Sequence, residues 1–82
     1  LDQRLPTFAL TRTKDHLKVS ARGTRYLISK GLNLAVAMRD AAEKYGGSGG
    51  GHDIAAGATL PLENEKKFLE ETERILRGQL RL

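Results

Sequence analysis

Apolar and polar residues alternate through the first part of the chain. In Thr7–Arg12 (TFALTR), Phe8 and Leu10 fall on one side; in residues 16–21 (HLKVSA), Leu17 and Val19 face away from Lys18 and Ser20. A period of two marks a strand with one buried face. With Lys14 and Asp15 as the turn, the two runs predict an antiparallel hairpin. From Gly31 the period changes. Leu34, Met38, Ala41 and Tyr45 recur at helical spacing, and Ala35, Ala37 and Ala42 widen the stripe. Asn33 stands where an N-cap belongs and Gly46 where a terminating glycine belongs, so a helix is expected over residues 33–45. Residues 25–30 predict a short turn or helix. Ala55–Pro61 (AAGATLP) suits a further strand, closed by its proline. Residues 63–79 form an amphipathic pattern, with Phe68, Leu69, Thr72, Ile75, Leu76 and Leu80 along one face. Glu63, Glu65, Glu70, Glu71 and Glu73 gather in its N-terminal half, where the helix dipole favours them. The order β-β-α-β-α describes a small α/β domain, a small mixed sheet covered by helices.

Eighty-two residues suffice for one domain, residues 1–82, and not for two. A chain of this size buries only about 60% of the surface its unfolded form exposes. With two Phe, two Tyr and no Trp, the core must be built from Leu, Ile, Val and Ala. The absence of cysteine removes disulfides and thiolate metal sites and fits a reducing, cytoplasmic setting. No apolar run approaches the roughly 20 residues that span a bilayer, so no membrane partner is expected. Asp2, Arg4 and Pro6 rule out a signal peptide at the N-terminus. The chain opens on Leu1 instead of Met, as a piece of a longer protein would. Charge is uneven: residues 1–45 hold nine Lys/Arg against four Asp/Glu, and residues 46–82 hold five against six. A basic half favours an anionic partner, most commonly a phosphate.

The least ordinary segment is 46–52, GGSGGGH. Its glycines admit three readings: a flexible linker, a helix cap followed by a loop, or a loop whose bare N–H groups cradle an anion. Gly46 and Gly51 have the spacing of a Walker A loop, but His52 and Asp53 stand in place of Lys and Ser/Thr. The segment also follows a helix where that motif follows a strand.

The residues around it decide among the three. Gly49 through Ala58 reads GGGHDIAAGA and resembles the signature of the DHH-associated domain. That domain follows the Asp-His-His catalytic domain of RecJ-like phosphoesterases, and a variant of it closes alanyl-tRNA synthetases. Ser20-Ala21-Arg22 resembles the family's Ser-x-Arg strand end, and Gly31-Leu32-Asn33-Leu34 looks like the helix start of the archaeal RecJ-like single-strand exonuclease branch. The similarity runs over residues 17–80. It implies a substrate-binding domain in which Gly49, Gly50 and Gly51 offer backbone N–H groups to a phosphate. His52 would donate a hydrogen bond, and Arg22 would clamp the phosphate bidentately, with Thr24 and Arg25 as accessories. The implied partners are single-stranded nucleic acid or an oligonucleotide, and the catalytic domain of the same chain.

The family's hydrolysis needs two divalent metals, manganese or magnesium, held by several carboxylates and histidines. His16, His52 and scattered acids do not supply that set, so the metals and the cutting are expected in the catalytic portion, outside these residues. Two other functions compete: the tRNA-binding C-terminal module of an alanyl-tRNA synthetase, and a protein-interaction module using the 68–80 stripe.

Overall fold

The structure, a computed structural model, describes residues 2–81. Strands β1 (Thr7–Arg12) and β2 (His16–Arg22) form the expected hairpin. Helices α1 (Arg25–Ser29) and α2 (Leu34–Lys44) follow, then strands β3 (Ser48–Gly51) and β4 (Ala55–Pro61). A single 3₁₀ turn (Leu62–Asn64) leads into α3 (Glu65–Gln79). The strands lie in the order β1-β2-β4-β3, antiparallel at every pairing. The expected α/β class holds, with helices on one side of a small sheet.

β2 shows why that side is buried. Leu17, Val19 and Ala21 are buried while the residues between them are exposed, the alternation read from the sequence. Leu17, Leu60, Leu27, Leu34, Met38 and Phe68 are the largest fully buried side chains, and α2 supplies the middle layer with Ala37, Ala41 and Ala42. Leu69, Ile75 and Leu76 of the last helix, with Leu80 just beyond it, pack against the same cluster, so its apolar stripe is core.

The glycine stretch departs from expectation: Ser48–Gly51 is an edge strand paired to β4, not a loop. Glycine's low β-propensity hides such a strand from any period count. Its glycines answer to packing. A Cβ on Gly47 would lie 2.0 Å from the Thr59 carbonyl oxygen, and one on Gly49 would lie 2.5 Å from the Met38 carbonyl oxygen. The α2 backbone therefore rests directly on β3. Gly50 points to the other face, where a Cβ would meet nothing within 4 Å.

The last helix also begins later than its pattern predicts. Asn64 caps no helix of its own; its side-chain amide donates to the Tyr45 carbonyl at 2.9 Å, closing the end of α2. The first turn after Pro61 is 3₁₀. At α2's other end the Asn33 cap forms as expected, its Oδ1 accepting from Val36 N at 3.1 Å. Gln79 grips the same residue twice, accepting from Asn33 N at 2.9 Å and donating to Asn33 O at 3.0 Å. The C-terminus of α3 is thereby fastened to the start of α2.

Midway along, Glu71 is nearly buried and accepts from Arg74 (Nε, 3.0 Å) and from Lys44 of α2 (3.3 Å). The Arg74 hydrogen bond, aided by Lys44 and opposed by desolvation, lowers its pKa from 4.5 to about 2. A carboxyl depressed on folding stabilises the fold fully above its unfolded value and loses that contribution as pH falls through the folded one. Stability carried by Glu71 should fade between pH 4.5 and about 2. Urea unfolding across that window should show a shallower acid decline for Glu71→Gln than for the parent.

The packing of β3 gives a sharper expectation. Gly49→Ala forces α2 off the sheet and should cost about 1–3 kcal/mol, lowering Tm by several degrees or more. Gly50→Ala should leave the melting curve close to the parent's. Equal melting of the two variants would contradict the close contact.

Candidate nucleic-acid interface

The sheet face opposite the helices is unusually bare. Register aligns Ala9 with Ser20, Ser20 with Gly57, and Gly57 with Gly50, so one rung crosses all four strands without a large side chain. On one side of it runs the rung Thr11, Lys18, Thr59, Ser48; on the other runs Thr7, Arg22, Ala55. A shallow hollow of about 480 Å³ lies here, its lining including Lys18, Ser20, Ser48, Gly50, Gly57 and Thr59.

The β3–β4 hairpin extends the Arg22 rung. His52 N donates to Ala55 O at 2.8 Å and Ala55 N returns a bond to His52 O at 3.3 Å, pairing the two residues. Gly51 makes the bend with φ near +140°, where a Cβ would also strike the Ala55 carbonyl oxygen at 2.7 Å. The tip is then tied down twice. The Asp53 carbonyl accepts from Leu34 N at 2.8 Å, and the Ile54 carbonyl accepts from Gly23 N at 2.8 Å. These bonds hold the tip against the end of β2, so Arg22, Ala55 and His52 fall in line. At about 4.8 Å per strand, Arg22 and His52 stand roughly 9–10 Å apart in backbone, and both are exposed.

The amides of the glycines are arranged differently from a continuous cradle. In an antiparallel ladder, closely bonded pairs recur at every second residue. Starting from His52 and Ala55, the next such pair is Gly50 with Gly57, so the Gly50 amide belongs to the sheet. Gly49 and Gly51 turn their amides away from β4, the direction in which the Gly47 amide reaches the Ala42 carbonyl at 2.8 Å. Gly50 instead contributes flatness to the open face. Thr24 is the N-cap of α1: its hydroxyl accepts from Leu27 N at 3.2 Å and donates to Gln3 O at 2.6 Å. Arg25 opens α1, exposed, outside the rungs of the sheet.

Charge separates cleanly. None of the ten acidic residues lies in a strand. Arg12 at the end of β1 is neutralised by Glu65, with Nε 2.7 Å from Oε1. Among the described residues, Lys18 and Arg22 form no ion pair. Lys18, Ser48 and Thr59 are not among the candidate residues read from the sequence, and Ser20 enters there only through the Ser-x-Arg resemblance. The alternation of β2 carried the signal for Lys18 and Ser20, but Ser48 stayed hidden with its strand.

A larger groove, about 710 Å³, runs between β1 and α3. Its walls are chiefly Leu5, Pro6, Phe8, Leu69, Leu76 and Leu80. Its two cations are already engaged, Arg4 with Asp2 at 3.1 Å and Arg77 with Glu73 at 3.0 Å. The smaller hollow instead carries Lys18 and the hydroxyls of Ser20, Ser48 and Thr59. Among the described residues no three His, Asp or Glu converge. No helix of the structure is long and apolar enough to cross a membrane.

Comparison with known proteins places the chain in a family. Over 67 residues the chain is 48% identical to the uncharacterized protein MJ0831 of Methanocaldococcus jannaschii, covering 82% of this chain and 15% of that protein. The crystal structure of the C-Ala domain from Aquifex aeolicus alanyl-tRNA synthetase superposes with a TM-score of 0.68 at 19% identity. That match covers 90% of this chain and 64% of the other, a likeness of fold. Residues 2–78 match the DHHA1 domain, a span from before β1 to the last turn of α3, and the chain belongs to that family.

Proposed function

We propose that this domain grips the phosphates of single-stranded nucleic acid for a RecJ-like DHH phosphoesterase, with the bare sheet face as the contact surface. The observation that carries this reading is the acid-free rung in which Arg22 and His52 flank Ala55. Arg22 offers a planar fork of donors suited to a phosphate's oxygens, and His52 adds a donor from the other side. The flat glycine floor next to them lets a sugar–phosphate chain approach the backbone closely. With two Phe, two Tyr and no Trp in the chain, and Phe68 buried, stacking platforms are scarce. Such a grip rests on phosphates and selects sequence weakly. In this reading the two metals, manganese or magnesium, belong to an Asp-His-His catalytic domain of the same protein, which cuts the strand that the DHHA1 domain holds.

Affinity for a single-stranded oligonucleotide should fall steeply with salt. Two to four phosphate contacts give a log–log slope of roughly −1.4 to −2.8. Titration of a fluorescent oligomer at several ionic strengths measures it, and a flat response would remove the phosphate grip. In the full-length protein, Arg22→Ala should raise KM about tenfold, near 1.5 kcal/mol for an exposed charge-assisted contact, with an unchanged melting curve. Arg22→Lys should recover only part of the loss, since an ammonium lacks the fork. His52→Ala should raise KM in the same direction by less. Activity within twofold of the parent for both alanine variants would sink the clamp. Competition with a folded tRNA separates the alternative: displacement by tRNA and not by single strands would favour the synthetase-like module.

A further inference from the structure

Lys18 lies on the same strand face as Arg22, four residues away, and the clamp at Arg22 and His52 leaves it without a role. β2 is interior to the sheet, flanked by β1 and β4, so Lys18 is not guarding an open strand edge. Its neighbours in register are Thr11 on one side and Thr59 on the other, and Thr59 in turn pairs with Ser48. All four residues are exposed. One rung thus crosses the whole sheet with an ammonium and three hydroxyls and no acid, at the opposite end of the bare floor from Arg22.

We infer that Lys18, with Thr59 and Ser48, forms a second phosphate subsite, and that the substrate is therefore a linear oligonucleotide long enough to reach both ends of the floor. This inference rests on the clamp proposed above. Antiparallel strands rise about 3.4 Å per residue, so Lys18 and Arg22 are separated by roughly 13–14 Å along β2. Two residues of strand match the reach of one nucleotide in a stretched single strand, so the gap corresponds to two nucleotide steps. One phosphate sits at Arg22, the next passes over Ser20 and the glycine floor, and the third meets Lys18. Between the two posts, Ser20, Gly57 and Gly50 keep the floor low enough for the intervening sugar and phosphate. A nucleotide carrying one or two phosphates on adjacent residues cannot span that gap. Lys18 is then a determinant of substrate length, since it rewards a third nucleotide and ignores a second.

The test is binding by the full-length protein in EDTA, which prevents turnover, with 5′-phosphorylated oligothymidylates of two and six nucleotides as probes. For the hexamer, Lys18→Ala should weaken affinity about five- to tenfold and make the salt slope shallower by about 0.7, one single-strand contact. For the dimer, affinity and slope should match the parent's. Arg22→Ala, by contrast, should weaken both probes. If Lys18→Ala leaves the hexamer unchanged while Arg22→Ala weakens both, the second subsite falls and the clamp stands. If neither variant changes either probe, the clamp falls as well. Equal weakening of dimer and hexamer by Lys18→Ala would overturn the spanning geometry, because the lysine would then act through its field alone. Circular dichroism melts matching the parent's show that the exposed substitution left the fold intact.

Discussion

The backbone of α2 rests on Gly49 of β3 with no side chain between them. A methyl group at Gly49 would press on the Met38 carbonyl, and one at Gly47 on the Thr59 carbonyl. That contact sets the thickness of the domain and holds the fourth strand in place. It also explains how so small a chain builds a core from Ala37, Ala41 and Ala42: helix and sheet come close enough for alanine to fill the gap. With every helix on one side, the other side of the sheet is left to the solvent-facing half of each strand.

Much of this was legible in the sequence. The hairpin of Thr7–Arg12 with the strand after it, the Asn33 cap and the strand Ala55–Pro61 all follow from period, cap chemistry and a terminating proline, signals that act locally. β3 was not legible because glycines carry no polarity pattern; what makes them a strand is the helix above and β4 beside them, both non-local. The start of α3 was misplaced for a related reason. The 3₁₀ turn of residues 62–64 leaves no mark on the polarity pattern, and the Asn64 amide serves the end of α2 across 19 positions of chain. The site was legible in part. Arg22 and His52 stood out through a family signature, and the register that puts them in one rung came only with the fold.

Charge follows the same division of labour between faces. Acidic residues sit on helices and turns, where Glu71 and Glu65 each engage arginine. Glu71 ties α2 to α3 and Glu65 ties α3 to β1, so the carboxylates act as ties on the helical side. The sheet side keeps unpaired cations and hydroxyls. A modest net charge of +4 therefore understates how positive the bare face is, because the acids that offset it lie elsewhere.

The hairpin tip has a consequence for how the domain can vary. Asp53 and Ile54 hold α2 and the end of β2 through carbonyl oxygens, groups every amino acid possesses. The alignment of Arg22 with His52 is thus indifferent to which side chains occupy positions 53 and 54, so long as the backbone path is kept. These two positions border the rung, and the frame they set there is a property of the main chain and not of any one side chain.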